Sequence, residues 1–252
     1  MFKSQLKIVS ILALAVMLLG VGAASAYAAP YADLDYFYYV GTDNKITDTR
    51  ILSNAEQYLD SIGYDCWSNQ NLSAGTAWSW WKYDAILITN GHGASGRLWF
   101  NNSATAIIGE DKRDPARQNG GTAWLIKNFA GTDINDCLCA VFLNCESAVT
   151  HSTIYGNILG WARARGADAA TGWRLCIGDY TSGWWGTGFA RGAWDKNYAI
   201  DYPSGHHVTD VDLAMYASTY AKSAGSYDPA IESYETWGQN GQKLQPARYG
   251  TP

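Results

Sequence analysis

The chain has 252 residues, which is enough for one large α/β domain with a substantial core. Its formal net charge is -5 and only 16% of its residues are charged, while it carries 12 tryptophans, 17 tyrosines and 26 glycines. A mildly acidic chain without basic clusters argues against nucleic acid or an anionic membrane as its main partner. The aromatic composition suits a rigid extracellular protein, including one that binds peptides or sugars.

The N-terminus has the features of a secretory signal peptide. Two lysines precede an apolar run over residues 8–21, and Ala24-Ser25-Ala26 forms an A-x-A cleavage site. The apolar run is shorter than the roughly 20 residues that a membrane-spanning helix needs. We therefore predict that residues 1–26 are a removed signal peptide. Residues 31–252 are then one secreted or cell-surface domain with no membrane span.

In chain order, strand-like apolar runs alternate with segments of helical spacing. The predicted elements are strand 34–40, helix 51–62, strand 64–67, strand 83–89, strand 97–100, helix 122–129, strand 138–143, helix 154–162, strand 167–173, helix 209–221 and strand 231–237. Residues 77–81 are ambiguous, and residues 178–188 are interpreted as a loop rich in Gly and Trp. This alternation predicts a mainly parallel sheet with helices on both faces.

The five cysteines all lie beyond the signal segment, and an odd number leaves at least one thiol outside any disulfide in an oxidising compartment. The simplest division is a free Cys145 with up to two disulfides among Cys66, Cys137, Cys139 and Cys176. The alternative is that all five are reduced residues, because cysteine is commonly buried. The sequence does not choose between these arrangements.

Two predicted strands stop at reactive side chains. One ends in Asn90-Gly91-His92-Gly93, and the other continues into Cys145, where the chain turns toward the next helix. At the carboxyl ends of neighbouring parallel strands, His92 and Cys145 would meet in the ligand crevice. A thiol beside an imidazole is the minimal equipment of a cysteine hydrolase. The backbone N–H groups of Gly93 and Cys145 are the candidate oxyanion donors.

These strand endings resemble the caspase-like cysteine peptidases of clan CD, which include caspases, metacaspases, gingipains, clostripain and legumains. In this clan a strand ending in His-Gly precedes a strand ending in the nucleophilic Cys. Residues 90–100 and Asn144-Cys145-Glu146-Ser147 are most similar to legumains. The resemblance implies that His92 and Cys145 form the dyad, that Gly93 is an oxyanion donor, and that the fold is a caspase-like αβα sandwich.

Two positions depart from the legumain pattern. Leu143 stands where legumains carry an acidic residue, and Gly91 stands where they carry Asp before the histidine. The resemblance therefore does not imply a preference for Asn at the cleavage site. Ser147 lacks the G-x-S-x-G context of a nucleophilic serine.

The resemblance also indicates where substrate specificity is decided. In this clan the first specificity pocket is built partly from the strand after the nucleophile and its following loop. Asp179 can there receive a basic side chain, with Trp173 or Trp184 as a wall of the pocket. Arg174 can equally receive an acidic side chain. The alternatives are that Asp179 is a turn residue and that the tryptophans only pack.

We therefore predict a secreted cysteine endopeptidase that hydrolyses protein or peptide substrates through a thioacyl-enzyme. This chemistry requires no cofactor, and the histidines show no metal-binding spacing. The alternative is an inactive caspase-like binding module that uses exposed aromatic residues. The state of Cys145 distinguishes the two hypotheses, because a disulfide there would exclude catalysis.

Overall fold

The computed structural model describes residues 31–36, 51–70, 72–100, 105–131, 133–135, 137–149, 152–198, 210–226 and 228–238. The predicted signal peptide lies outside these ranges, as do residues 37–40 of the first predicted strand. Across the described ranges, no helix is both long enough and apolar enough to cross a membrane.

The described elements alternate between strands and helices along most of the chain. They are β1 (Tyr31–Tyr36), α1 (Glu56–Ser61), β2 (Asp65–Gln70), α2 (Ala74–Trp80), β3 (Asp84–Gly91), β4 (Gly93–Ala94), β5 (Arg97–Trp99), β6 (Ala106–Ile108), β7 (Ala123–Leu125), β8 (Cys139–Asn144), α3 (Ile158–Ala164), β9 (Ala169–Trp173), α4 (Asp179–Tyr198), α5 (Asp210–Ser223) and β10 (Tyr234–Gly238).

Six strands form the central sheet in the order β10-β9-β8-β3-β1-β2. All neighbours pair in parallel except β10, which pairs antiparallel with β9. The prediction of a mainly parallel sheet is confirmed. β3 and β8 are neighbours, with Ile86 opposite Cys139 and Gly91 opposite Asn144. Their carboxyl ends therefore emerge side by side.

Helices cover both faces of this sheet, as predicted. Successive side chains of a strand point to opposite faces. On one face, Ile86, Ile88 and Val141 join a buried cluster with α1, α4 and α5. On the other face, Leu87 and Phe142 join a cluster with α2, α3 and part of the small sheet. Burial on both faces explains why β3 and β8 are continuous apolar runs in the sequence.

A second, four-stranded sheet grows directly from the end of β3, in the order β4-β5-β6-β7. Gly93 pairs with Leu98 and Ala94 with Arg97 across an antiparallel hairpin. The main-chain N–H of Trp99 donates to the carbonyl oxygen of His92 at 3.0 Å. The hairpin therefore holds the main chain at the end of β3.

The predicted helix over residues 122–129 is wrong. Ala123–Leu125 is instead β7, which pairs in parallel with β6, and Ile126–Asn128 forms one 3-10 turn. Ala123 and Leu125 are buried while Trp124 is only half-buried, which is the alternation of a strand. Pairing with β6 satisfies the main chain of this segment more completely than one short helix would.

The predicted loop over residues 178–188 is also wrong, because Asp179–Tyr198 is a 20-residue helix. Glycine disfavours helices, which is why the sequence suggests a loop. A Cβ at Gly188 would lie 2.8 Å from Tyr220 Cδ1 and 3.1 Å from Ala217 Cα. The glycine thus lets α4 and α5 approach closely. Burial of Trp185 and Phe189, one turn apart, offsets the low helix propensity.

Other boundaries move by a few residues. The predicted helix over 51–62 divides into one π turn, Ile51–Ala55, and α1, and Gly63 follows it with φ 101° as predicted for a helix end. The ambiguous residues 77–81 belong mainly to α2. The next predicted helix begins only at Ile158, because the side chain of Asn157 caps it by accepting from the Gly160 N–H at 3.1 Å.

Candidate active site

His92 and Cys145 are the residues that follow the paired ends of β3 and β8. Gly91 and Asn144 are the last partners in that pairing, so the two following residues leave the sheet at the same edge. Both side chains are partly exposed. The structure thus brings together the two strand endings that the sequence singled out, at the edge where open α/β sheets bind ligands.

The buried side chain of Asn144 bridges these two strand ends. Its Nδ2 donates to the carbonyl oxygen of His92 at 3.2 Å, and its Oδ1 accepts from Thr89 Oγ1 at 2.8 Å. Both amide atoms are therefore used to join the end of β8 to the end of β3, one at the His92 main chain and one at the Thr89 side chain. Sequence reasoning missed this residue, although a polar side chain at the end of an apolar strand is a signal that can be searched for.

Gly93 lies where the two strand-end turns touch. A Cβ at this position would be 2.5 Å from the carbonyl oxygen of Cys145 and 2.9 Å from Asn144 Cβ. Real Cβ atoms do not approach a backbone oxygen so closely. Glycine is therefore needed for its lack of a side chain, and the backbones of Gly93 and Cys145 are held against each other.

Cys145 opens a tight turn over residues 145–148. Glu146 has φ 54°, the only positive φ among the described residues other than glycine. Its N–H donates to the carbonyl oxygen of Leu175 at 3.3 Å, and the N–H of Ala148 donates to that of Trp173 at 2.8 Å. The turn is thus anchored on β9 and its extension. The predicted turn after Cys145 is therefore present, and the next helix, α3, begins at Ile158.

The Cys145 thiol is held in its protonated form. Burial raises the pKa of Cys145 to about 12, and the side chain of Cys176 contributes to the rise. The S–H donates to the carbonyl oxygen of Ile177 at 3.6 Å, an interaction that only the thiol can make. A protonated thiol is a poor nucleophile, so a base must take its proton during attack.

We expect Cys176→Ala to make Cys145 more reactive. The substitution removes both a neighbouring thiol and part of the cover over Cys145, so the pKa of Cys145 falls and more thiolate is present at a given pH. Alkylation of Cys145 by iodoacetamide at pH 8 should accelerate by about three- to tenfold. Peptide mass spectrometry resolves labelling at each cysteine. Cys66→Ala is the matched control, and an unchanged or slower rate in Cys176→Ala would contradict the assignment.

Ser147 is a structural residue. Its buried Oγ donates to the carbonyl oxygen of Phe142 at 2.9 Å and accepts from the N–H of Trp173 at 3.1 Å. It therefore joins β8 to β9. A Cβ at Gly172 would lie 2.7 Å from this Oγ, which shows how little space surrounds it.

The two tryptophans proposed as pocket walls both pack against other aromatic rings. Trp173 is 1% exposed, and its ring meets that of Trp185 edge-on at 5.2 Å within the core. The expectation that Trp173 walls an open pocket is therefore wrong. Trp184 lies on α4, where its ring meets Tyr220 at 5.7 Å and Tyr180 at 6.3 Å. The contact with Tyr220 joins α4 to α5, whereas Tyr180 lies on the same helix as Trp184.

Arg174 and Asp179 lie near the same edge of the sheet in different settings. Arg174 directly follows β9, is exposed, and pairs through Nε with Glu235 Oε2 at 2.6 Å. Asp179 lies in the first turn of α4. The hydroxyl of Ser182 lies 2.9 Å from the Asp179 carbonyl oxygen and 3.1 Å from Asn90 Oδ1. This turn therefore packs beside the end of β3, just before His92.

Two exposed apolar residues flank the Cys176–Asp179 segment, and the sequence did not single them out. Leu175 is 55% exposed and Tyr180 is 52% exposed. Since the Leu175 carbonyl oxygen accepts from the N–H of Glu146, this apolar surface lies beside the turn that carries Cys145.

No disulfide joins any of the five cysteines, all of which lie in the described ranges. Cys137 and Cys139 are buried, Cys66 and Cys145 are half-buried, and Cys176 is exposed. His92 is the only histidine that the structure describes. Within the same ranges, His, Cys, Asp and Glu side chains form no group of three that could hold a metal ion.

Neither a known protein family nor a curated protein sequence matches this chain. Solved structures do match. The chain superposes on the Arg-specific cysteine proteinase gingipain R (RGPB) with a TM-score of 0.57 and 10% identity, over 85% of this chain and 47% of that one. For a structure described only as a protease, the TM-score is 0.54 and the identity 15%, over 82% of this chain and 47% of that one. For caspase-1 from Spodoptera frugiperda, the TM-score is 0.46 and the identity 10%, over 86% of this chain and 94% of that one.

The first two matches show the fold. The chain has the caspase-like αβα arrangement of a mainly parallel sheet between two layers of helices. It spans about half the length of those two proteins, at 47% of each.

Proposed function

We propose that this chain is a secreted cysteine endopeptidase in which Cys145 is the nucleophile and His92 the general acid and base. One observation carries the proposal. The parallel pairing of β3 with β8 ends at Gly91 and Asn144, which brings the only described histidine to the strand end beside Cys145. The fold shared with proteases supports it, as does the signal-like N-terminal sequence for secretion.

The reaction follows from the chemistry of these groups. His92 takes the proton of the Cys145 thiol as the sulfur bonds to the peptide carbonyl carbon. The tetrahedral oxyanion is bound by the N–H groups of Gly93 and Cys145, each worth about 3 kcal/mol in the transition state. The C–N bond then breaks as His92 gives its proton to the leaving amine. Water, deprotonated by His92, hydrolyses the thioacyl-enzyme and restores the thiol.

The protonated resting state of Cys145 fits this sequence of steps. The hydrogen bond from the Cys145 S–H to the Ile177 carbonyl oxygen must break before the sulfur attacks. A substrate that displaces this contact while bringing its carbonyl to the sulfur would let proton transfer and attack occur together. In the absence of substrate the thiol would stay protonated and unreactive, which protects the nucleophile between turnovers.

The experiment that tests this function compares the protein with its Cys145→Ala variant on a diverse peptide mixture under mild reducing conditions. Mass spectrometry identifies the cut sites. Cuts made by the parent and absent with the variant support the proposal, and identical cuts from both contradict it. A parent with a reactive Cys145 that makes no cuts between pH 5 and 9 would instead support a binding module.

The location of Asp179 supports a preference for basic residues before the cleaved bond. Its helix turn packs beside the end of β3, whereas the charge of Arg174 is already offset by Glu235. Gingipain R, which shares the fold, is described as Arg-specific. A carboxylate is the group that binds a guanidinium or ammonium best.

We expect Asp179→Asn to lower kcat/KM for substrates with Arg or Lys before the cleaved bond by about 10- to 100-fold, through loss of one charge-assisted hydrogen bond. Substrates with a neutral residue there should be cleaved as before. Arg174→Gln is the matched control and should leave the preference unchanged. A preference that shifts with Arg174→Gln and not with Asp179→Asn would assign specificity to Arg174 instead.

A further inference from the structure

The small sheet carries a basic cavity on the face that points away from the central core. Leu98 and Ile107 of this sheet point into that core, and the neighbouring residues of β5 and β6 point the other way. The cavity has a volume of about 260 Å³, and its apolar lining is Ala106, Ile108 and Ala123. Its polar and aromatic lining is Arg97, Trp99, Arg113, Arg117, Thr122 and Tyr155.

Arg97 is held rigidly between aromatic rings. Its Cζ lies 4.5 Å from the ring centroid of Trp99 and 4.6 Å from that of Tyr155. Stacking uses the faces of the guanidinium and leaves its N–H groups free in the plane. Its buried Nε has no hydrogen-bond partner within the described part of the chain. An acceptor in the cavity would satisfy this donor.

The other two arginines share a single carboxylate. Arg113 Nε binds Asp111 Oδ1 at 3.1 Å, and Arg117 binds Asp111 Oδ2 at 2.9 Å. Both pairs hold the pKa of the buried Asp111 well below its usual range, Arg113 most strongly, so Asp111 stays ionised. No acidic residue lines the cavity itself. Three guanidiniums against this one carboxylate leave two positive charges in excess.

We propose that this cavity binds a phosphate group, either as inorganic phosphate or as a phosphate monoester. A phosphate monoester carries about -1.5 to -2 charges at neutral pH, which matches the excess of positive charge, whereas a carboxylate carries half as much. The volume lies below the roughly 300 Å³ at which pockets for larger ligands begin. Arg113, whose side chain is 57% exposed, marks the entrance.

This site does not depend on the proposed hydrolysis, because its residues differ from those assigned to the strand ends. It is nevertheless joined to them. Arg97 and Trp99 lie on β5, and the Trp99 N–H holds the carbonyl oxygen of His92 at 3.0 Å. Because the two sites use different residues, phosphate binding is measured directly and does not require hydrolysis. Peptide hydrolysis with and without phosphate is a second, separate measurement.

The test is calorimetric titration of the protein with inorganic phosphate and with phenyl phosphate at constant ionic strength, and with acetate for comparison. The two phosphate titrations distinguish the free ion from a monoester. We expect saturable binding of at least one phosphate with a Kd of about 1 mM or tighter. Absence of saturable binding for both, or equal affinity for acetate, would overturn the proposal.

Arg97→Gln should weaken phosphate binding by about tenfold or more, as expected for loss of a charge-assisted contact. Arg165→Gln is the matched control. That guanidinium also stacks on an indole, 5.3 Å from the Trp161 ring, and its Nε is also unpartnered in the described part of the chain, but it lies outside the cavity. Equal weakening by both variants would overturn the site. Near-UV circular dichroism checks folding, and Arg97→Lys replaces Arg97→Gln if the latter unfolds.

Discussion

Replacing Cys145 with alanine is expected to lower kcat/KM for peptide hydrolysis by about 10⁴-fold or more, because the proposed covalent route runs through this thiol. Ser147 cannot substitute, since its hydroxyl is buried between Phe142 and Trp173. Replacing His92 with alanine should lower kcat/KM by about 10³-fold through loss of the general base. Steady-state kinetics on the best peptide from the mixture measures both effects.

Folding is expected to survive both changes. Cys145 and His92 are partly exposed, and alanine at position 92 keeps the main-chain carbonyl oxygen that accepts from Asn144 Nδ2 and from the Trp99 N–H. Thermal unfolding should therefore shift little. Cys66→Ala is the control, because that thiol is also half-buried but lies on β2. Retained hydrolysis in either active-site variant would remove the dyad from the mechanism.

Replacing Gly93 with alanine is expected to damage both stability and turnover. The new Cβ would lie 2.5 Å from the Cys145 carbonyl oxygen and 2.9 Å from Asn144 Cβ, so the two strand-end turns must move apart. Such overpacking costs about 1–3 kcal/mol of unfolding free energy. A displacement of about 1 Å between catalytic groups can lower turnover by about 100-fold. Urea unfolding and kcat measurements report the two effects separately.

Gly131→Ala is the matched control for this prediction. A Cβ at Gly131 meets nothing within 4 Å, and its φ lies outside the left-handed region, so alanine there should be neutral or slightly stabilising. Full stability and normal turnover in Gly93→Ala would show that the turns can separate freely. In that event the close contact between Gly93 and Cys145 would have no role in holding the site together.

Much of the architecture is local in origin, and the sequence alone was sufficient to predict it. β3 and β8 are buried on both faces, so their sequences are continuous apolar runs that stop at Gly91 and Asn144. The alternation of strands and helices then favours a mainly parallel sheet. Because parallel strands end at a common edge, the sequence also predicted that His92 and Cys145 emerge together.

Two segments were decided by contacts with distant parts of the chain. Residues 123–125 have helix-compatible composition, but pairing with β6 makes them a strand. Residues 179–188 are rich in glycine, which locally disfavours a helix. They nevertheless belong to α4, and Gly188 lets α4 pack closely against α5. Local propensity is worth less than about 1 kcal/mol per residue, so burial and strand pairing override it.

The sequence by itself determined which strands end in a thiol and an imidazole, because apolar runs and their terminal residues are adjacent in the chain. Only the tertiary structure decided what surrounds them. Three features depend on residues that are separated along the chain or belong to different elements. They are the Asn144 bridge to His92, the contact of the Cys176 side chain with Cys145 and the burial of Trp173. The same holds for the cavity that gathers Arg97, Arg113 and Arg117. Such groupings depend on how strands and turns pack in space, and no sequence period records them.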